Sequence, residues 1–153
     1  MLTSKAKYAL HALEMLAQAR RDQPVLIEDL ARRGGIPRKF LEQILLDLKS
    51  LGVLQSKRGR GGGYFLALPP EKISLGQVIR SMSGPIALVP CLSRTAYRRC
   101  PECPDEATCS VRLVLKDIYD ASIKILERTT LAEMVRRHEE VSAQRSEAPM
   151  YFI

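Results

Sequence analysis

The sequence is poor in aromatic residues and in long apolar runs. It has no tryptophan, and Phe, Trp and Tyr make up 5% of its 153 residues, although 46% of the residues are hydrophobic. A core must therefore be built from aliphatic side chains. No apolar run approaches the roughly 18 residues of a membrane span, and the first residues lack the apolar segment and cleavage site of a signal peptide. We expect a cytoplasmic protein of one domain with an extension or dimerisation arm.

The chain also lacks the usual sequence signatures of an enzyme. No glycine-rich phosphate-binding loop precedes a helix, no pair of carboxylates suggests a catalytic cleft, and neither of the two histidines is near a cysteine in sequence. We therefore expect a binding protein and not an enzyme.

Positive charge is concentrated in the N-terminal half. Residues 1–68 carry 12 Lys and Arg side chains against 6 Asp and Glu, whereas residues 69–153 carry 12 against 11. An ordinary solvated surface can have such a composition. The clustering is nevertheless typical of proteins that bind polyanions, and double-stranded DNA is the partner that we expect.

Hydrophobic periodicity predicts three helices in the first part of the chain. They cover 4–20, with Ser4 as N-cap, a short segment around 27–33, and the stretch from Pro37 to Gly52. The last two are joined by a short turn that contains two glycines. This arrangement is a helix-turn-helix.

A basic, glycine-rich loop follows the helix-turn-helix. The segment SKRGRGGG, residues 56–63, carries three cations and separates two short predicted strands at 53–55 and 64–68. Its glycines let the backbone approach another surface closely. We interpret the hairpin as the wing of a winged helix-turn-helix DNA-binding domain over residues 1–83. The fold class is then mainly α with a small β-hairpin wing and a long dimerisation helix.

That long helix is predicted over 108–128 and would span roughly 30 Å. A helix of this length that leaves a small domain needs a partner surface, so we expect a homodimer. The residues expected at the dimer contact share one apolar stripe: Val111, Leu115, Ile118, Ser122 and Ile125. Thr130 and Glu133 form a capping box that begins a last short helix. The dimerisation region is thus predicted over 108–138 and a tail over 139–153.

All four cysteines lie in or just after a proline-rich loop over 84–107. Eight residues separate Cys91 from Cys100, two separate Cys100 from Cys103, and five separate Cys103 from Cys109. Thiolates suit iron–sulfur clusters, zinc or copper, and clustered cytoplasmic cysteines bind metal or do redox chemistry more often than they form structural disulfides. Spacing alone does not separate an iron–sulfur cluster from a zinc site or a thiol redox switch.

Several motifs together resemble the Rrf-two (Rrf2) family of bacterial transcription regulators, the group that contains IscR and NsrR. The matching segments are LTSKAKYALHAL, IPRKFLEQILLDLKSLGVLQSKRGRGGGYFLA, ISLGQVI and TLAEMV. The resemblance implies a winged-helix homodimer on palindromic DNA, with recognition helices in successive major grooves and wings in the minor groove. It also implies an iron–sulfur cluster, held by cysteines at the start of the dimerisation helix, that controls affinity for DNA.

The predicted recognition helix carries outward polar side chains in its first two turns: Arg38, Lys39, Glu42 and Gln43. Arg38 and Lys39 suit phosphate or guanine, and a carboxylate at Glu42 can accept a hydrogen bond from cytosine N4. The family has a glutamate at this place. The alternative role of Glu42 is a salt bridge within the helix.

The wing and the first helix supply further expected DNA contacts. Arg58 and Arg60 suit a narrow, electronegative minor groove, and the resemblance assigns this role to Arg58. Lys5 and Tyr8 are expected at phosphates.

The resemblance also bears on the cluster ligands. Cys91, Cys103 and Cys109 match the three family cysteines, and Cys100 is additional. The family's fourth ligand is a histidine three residues after the last cysteine, or an acidic residue in the first helix. Those positions hold Arg112 and Tyr8 here, so we hypothesise that Cys100 is the fourth ligand of a 4Fe–4S cluster, with 2Fe–2S as the second possibility.

Three alternative roles for the cysteines stay open. The first is a structural zinc site, and the second is a thiol redox switch. The third is a cluster held by three cysteines and a ligand from elsewhere, such as His11 of a second subunit. The sequence therefore predicts a transcriptional repressor whose operator affinity depends on a cluster that senses iron, redox state, oxygen or nitric oxide. The alternatives are a zinc-containing or thiol-switched regulator, or a protein-interaction module that docks an enzyme.

Overall fold

The computed structural model describes residues 2–20 and 23–147. This part of the chain folds into six α-helices and one two-stranded antiparallel sheet: α1 (Ser4–Gln18), α2 (Ile27–Gly34), α3 (Arg38–Ser50), β1 (Leu54–Lys57), β2 (Gly63–Leu66), α4 (Leu75–Ser83), α5 (Ser110–Arg128) and α6 (Leu131–Glu147). The predicted fold class, mainly helical with a hairpin wing, is confirmed. None of the helices in the described ranges has the length and apolar content that crossing a lipid bilayer requires.

The main core joins α1, α2, α3 and α4. Alanines at the buried positions of α1 let the neighbouring helices approach closely, and leucines and isoleucines from the others fill the space between them. The fully buried side chains of this core include Leu13, Leu30, Leu41, Ile44, Leu45, Leu48, Val78 and Leu131. Since α3 buries this one face, its opposite face is turned to solvent.

The start of α1 and the end of α2 follow local backbone chemistry. Thr3 caps α1, because its side chain accepts a hydrogen bond from the Ala6 N–H at 3.2 Å. The cap therefore lies one residue before the predicted Ser4, which is already helical. Gly35 ends α2 in the left-handed conformation, with φ at 59°, a conformation that glycine adopts without steric cost.

The wing is a tighter hairpin than the sequence predicts. Leu54 pairs with Leu66 and Lys57 pairs with Gly63, so the connecting loop is 58–62 and not the whole of 56–63. Close backbone contacts require glycine here: a Cβ on Gly62 would lie 2.3 Å from the Lys57 carbonyl oxygen. This packing narrows the loop and leaves its cations at the tip.

A second, smaller core attaches the cysteine loop to α5. Tyr119 and Ile123 on the buried face of α5 pack against Cys91 and Leu92, which lie in a short 3-10 turn. The apolar residues on other faces of α5 remain exposed, with Val111 at 61%, Ile118 at 50% and Ile125 at 64%. Three residues of the predicted apolar stripe are therefore not covered by the chain's own core.

Helix α6 is longer than the predicted short helix and continues to Glu147. Ion pairs between residues three and four positions apart support it: Glu133 pairs with Arg136 and Arg137, and Arg136 also pairs with Glu140. Residues 139–147 of the predicted tail are thus helical, and the rest of that tail lies outside the described residues. The helix returns the chain to the main core, since the Leu131 N–H donates to the Ile73 carbonyl at 2.8 Å.

Neighbouring positions on α3 test the orientation of this helix. Ile44 is fully buried, whereas Leu46 is 52% exposed. We expect Ile44→Ala to lower the free energy of unfolding by about 2–5 kcal/mol, because it leaves a cavity in the main core. Leu46→Ala, the matched control, should change it by no more than about 0.5 kcal/mol. Urea unfolding followed by circular dichroism measures both; equal losses would contradict the described orientation of α3.

Candidate functional site

The N-terminal half of α3 presents a polar face on which Arg38 is tied by two carboxylates. Its Nη1 lies 2.8 Å from Glu28 Oε1 on α2, and its Nε donates to Glu42 Oε1 at 3.1 Å. Glu42 thus makes the intrahelical salt bridge that is its alternative role. A DNA phosphate would have to compete with both carboxylates for Arg38, so contacts of Arg38 and Glu42 with DNA stay predictions.

Asp47 links two of the predicted DNA-contacting residues. Its Oδ2 lies 2.6 Å from Lys5 Nζ on α1, and its Oδ1 accepts a hydrogen bond from Gln43 Nε2 at 2.9 Å. The Lys5 ammonium lowers the pKa of the Asp47 carboxyl below its usual value, and the Gln43 amide adds to this effect. Sequence reasoning missed Asp47, although its position four residues after Gln43 on one helix was a usable signal.

The remaining cations of the interface carry no paired carboxylate. Within the described part of the chain, Lys39, Arg58 and Arg60 form no ion pair, and all three are exposed. The wing is also tied to α3, because Lys49 Nζ donates to Ser56 Oγ of β1 at 2.8 Å. These charges are therefore available to an external polyanion from the recognition helix and from the wing tip.

Tyr8 packs on the start of α3 and is only half-buried. Its ring meets Phe40 edge to face, with 5.7 Å between the ring centroids and 82° between the ring planes. Tyr8 therefore positions α1 against the recognition helix, and its predicted phosphate contact remains untested. Tyr8 also packs against the main core and does not line the cavity that contains the cysteines.

All four cysteines line a single cavity of about 370 Å³ at the start of α5. Cys91 reaches it from the 3-10 turn Pro90–Leu92, and Cys109 is the N-cap of α5. Between them a turn in the loop brings in the other two, with the Cys103 N–H donating to the Cys100 carbonyl at 3.2 Å. The fold thus gathers thiols that are up to 18 residues apart in sequence.

The surroundings of Cys100 and Cys109 shift the pKa values of their thiols in different directions. The backbone N–H of Arg112, in the first turn of α5, lowers the pKa of the Cys109 thiol, and the neighbouring Cys103 thiol lowers it further. By contrast, Cys100 Sγ donates to Glu102 Oε2 at 3.0 Å, and this carboxylate raises the pKa of the Cys100 thiol. Because the thiolate is the form that binds metal and reacts, Cys109 is the sulfur that the fold best prepares for either role.

The cavity offers four thiols as donors to a metal ion or a cluster. Among the described residues, no three His, Cys, Asp or Glu side chains converge closely enough to hold one metal ion. The four thiols lie apart on the wall of one cavity of about 370 Å³. Four soft thiol donors around such a space are a chemically reasonable set for an iron–sulfur cluster.

Arg112 supplies a second observation at the same cavity. It lines the cavity with the cysteines, and its Nε is buried without a hydrogen-bond partner within the described structure. Glu106 Oε2 lies 3.9 Å from this Nε, which is too long for a hydrogen bond. A buried donor without an acceptor is costly, and the Glu106 carboxylate offers this atom only a long contact. Sequence reasoning noted Arg112 only as unable to ligate, and missed Glu102 and Asp105 as further lining residues.

The two histidines lie in a different part of the fold. His138 Nδ1 of α6 is 3.0 Å from Glu14 Oε1, and His11 Nδ1 of α1 is 3.7 Å from Glu14 Oε2. Neither lines the cysteine cavity. Within one described protomer, the thiols therefore come with carboxylates and an arginine and without imidazole.

The predicted dimer-contact residues divide between two environments. Val111, Ile118, Ser122 and Ile125 are exposed, whereas Leu115 is half-buried against the second core. An apolar groove of about 400 Å³ continues the exposed surface beside Ile118, and Leu2 and Leu88 contribute to it.

Comparison with known sequences gives one family and many relatives. A family model described as "Rrf2: Iron-dependent Transcriptional regulator" matches residues 2–137. A putative HTH-type, rrf2-like transcriptional regulator from Rhodobacter capsulatus is 46% identical over 138 residues, which cover 88% of this chain and 92% of the relative. The HTH-type transcriptional regulator IscR from Erwinia tasmaniensis is 30% identical over 138 residues, covering 90% of this chain and 80% of that protein.

Solved structures share the fold over nearly the whole chain. CymR, described as the global cysteine regulator of B. subtilis, superposes with a TM-score of 0.75 at 28% identity, covering 90% of this chain and 97% of that one. IscR from T. potens gives a TM-score of 0.73 at 28% identity, covering 99% of this chain and 96% of that one.

Proposed function

The chain belongs to the Rrf2 family of transcriptional regulators, and we propose that it is a homodimeric DNA-binding repressor controlled by an iron–sulfur cluster on its four cysteines. One observation carries the proposal beyond the family: all four thiols line a single cavity at the start of α5. The same cavity joins the loop that follows the DNA-binding domain, residues 1–83, to the helix that we assign to dimerisation.

Binding to DNA rests on α3 and the wing. The buried face of α3 leaves Lys39, Glu42 and Gln43 outward, which is how a recognition helix meets base edges. Among the residues that the structure describes, no carboxylate pairs with Arg58 or Arg60 at the wing tip, and a narrow minor groove attracts such arginines. Because these cations would displace counterions from DNA, affinity for the operator should fall steeply with salt.

Dimerisation rests on the exposed face of α5. Val111, Ile118 and Ile125 leave half or more of their surface in water although they lie on one helix of about 28 Å. Patches of this kind mark interaction surfaces, and a second copy of α5 would bury them symmetrically. Such a dimer would present two recognition helices to a palindromic operator.

The cysteine site would connect both parts. Cys91, Cys100, Cys103 and Cys109 would hold the cluster, which when bound supplies a redox-active iron centre. Cys91 packs on Tyr119 and Cys109 caps α5, so both outer ligands are anchored to the same helix. Arg112 Nε would donate a hydrogen bond into the occupied cavity. Occupancy would thereby stiffen the junction between the DNA-binding domain and the dimer, a coupling of a few kcal/mol at most.

A thiol redox switch is the second candidate. It is supported by the contact between Cys103 and Cys109, which alters the pKa of both thiols, and by the similarity to CymR, a protein described as a cysteine regulator. Anaerobic purification separates the candidates: iron and sulfide in a brown protein support the cluster, zinc in a colourless protein supports a structural site, and a metal-free protein with reversible thiol oxidation supports the switch.

The wing contact is tested by Arg58→Ala. We expect this variant to bind operator DNA about 1–3 kcal/mol more weakly in fluorescence anisotropy, because it removes a groove contact. Arg145→Ala removes the same charge from the exposed end of α6 and should leave affinity nearly unchanged. Equal affinities of Arg58→Ala and the wild type would remove the wing from the interface.

The dimer contact is tested by Ile118→Glu combined with Ile125→Glu. Placing carboxylates on the apolar stripe of α5 should give a monomer in multi-angle light scattering and abolish operator binding. Val141→Glu is the control, since Val141 is 57% exposed on α6 and lies outside the proposed contact. A wild-type monomer at micromolar concentration would contradict the proposal.

The ligand set is tested by Cys100→Ser. If Cys100 is the fourth ligand, the variant purified without oxygen should lose the visible spectrum and iron content of the wild type, as should Cys91→Ser, Cys103→Ser and Cys109→Ser. If Cys100→Ser alone keeps a wild-type spectrum and iron content, the cluster has three cysteine ligands and Cys100 stands beside it.

A further inference from the structure

We propose that Asp47 is a positioning residue for base recognition, which orients the Gln43 amide and withholds the Lys5 ammonium from the DNA backbone. The inference rests on the proposed DNA-binding function and deepens it. It starts from two contacts to one carboxylate: 2.9 Å from Gln43 Nε2 and 2.6 Å from Lys5 Nζ.

The first contact decides which way the Gln43 amide faces. An ionised carboxylate only accepts hydrogen bonds, so Asp47 must meet the Nε2 side of the amide and not its oxygen. Gln43 then keeps Oε1 and its second N–H free on the outer face of α3. That pair of groups matches the N6 donor and N7 acceptor of adenine in the major groove. Asp47 therefore prepares Gln43 for adenine.

The second contact, between Asp47 and Lys5, makes the Lys5 ammonium less available to DNA phosphates. Lys5 and Asp47 are each about one-third exposed, at 32% and 31%, so both remain within reach of a bound polyanion. While paired, they present little net charge. A carboxylate on a recognition helix otherwise repels DNA, and Lys5 offsets that repulsion only as long as it stays with Asp47.

Together the two contacts lower the affinity for DNA of any sequence and raise the specificity for one sequence. Contacts to phosphate strengthen binding to any sequence, whereas base contacts separate one sequence from another. Specificity is the difference between the affinity for the right DNA sequence and the affinity for a wrong one. A group that weakens binding to the wrong sequence therefore raises specificity as effectively as a new attractive contact to the right one. Asp47 affects both affinities. Through Lys5 it lowers the affinity for any DNA sequence, and through Gln43 it raises the affinity for a sequence with the preferred base.

The test variant is Asp47→Asn, which keeps the shape of the side chain and removes its charge. Affinity is measured between about 50 and about 200 mM salt, for a duplex that the wild type selects from a random library and for a scrambled duplex. We expect tighter binding of the scrambled duplex and a salt dependence steeper by about 0.9 per protomer, because Lys5 is released to phosphate. The ratio of the two affinities should fall by about tenfold.

The route through Gln43 has its own readout. Site selection with Asp47→Asn should lose the preference for adenine at one position of each half-site, because an Asn side chain can face the Gln43 amide in either orientation. Gln43→Ala should lose the preference at the same position, and the double variant should lose no more than Gln43→Ala alone. A further loss in the double variant would overturn the assigned route.

Asp120→Asn is the matched control. Asp120 lies 2.6 Å from Lys116 on α5 and 3.5 Å from Arg94, so this variant breaks a Lys–Asp pair of equal length with the same change in net charge, together with one longer contact. It should leave the affinity ratio and the selected sequence unchanged. An Asp47→Asn protein that loses affinity for both duplexes equally, together with thermal stability, would show a structural role and overturn the inference.

The inference and the function on which it rests fail differently. A wild-type protein that binds neither duplex would overturn both. A wild-type protein that selects one sequence, with an Asp47→Asn variant of equal affinity ratio and salt dependence, would overturn the inference and leave the proposed function in place.

Discussion

The packing of Tyr119 and Ile123 against Cys91 and Leu92 is the contact on which the second half of the structure depends. It is a small core, but it decides which face of α5 is used inside the chain and which stays outside. Since this contact also anchors Cys91, while Cys109 caps the same helix, it brings both ends of the cysteine segment to one cavity. The exposed apolar stripe and the thiol cavity therefore both follow from the way in which α5 packs against the cysteine loop.

In the DNA-binding half, the distribution of ion pairs matters more than the count of charges. Glu28, Glu42 and Asp47 each pair with a cation of the proposed interface. Arg38 and Lys5 are thus partly neutralised, whereas the cations of the wing tip are not. The electrostatic attraction of this surface for DNA is consequently set by which carboxylates stand beside which cations.

Much of the fold could be predicted from the sequence because its signals are local. Helix periodicity, the glycine turn after α2 and the basic hairpin all depend on residues within a few positions of one another. The predictions that missed depended on competing local or longer interactions. The wing loop is shorter because its flanks pair across the sheet. Helix α6 is longer than predicted, and ion pairs of Glu133 and Glu140 with neighbouring arginines stabilise its first half.

For the candidate site, the sequence by itself determined the inventory: four cysteines in one segment, a polar face on the recognition helix, arginines on a glycine-rich turn, and an apolar stripe on a long helix. Only the tertiary structure decided that Cys100 shares a cavity with the other three thiols, that Arg112 brings a buried donor without a partner to it, and that Lys5 meets Asp47 across two helices. The physical reason is that spacing along the chain specifies neighbours within one or two turns. Contacts between distant residues follow from how helices pack, and packing depends on the shapes of all the buried side chains together.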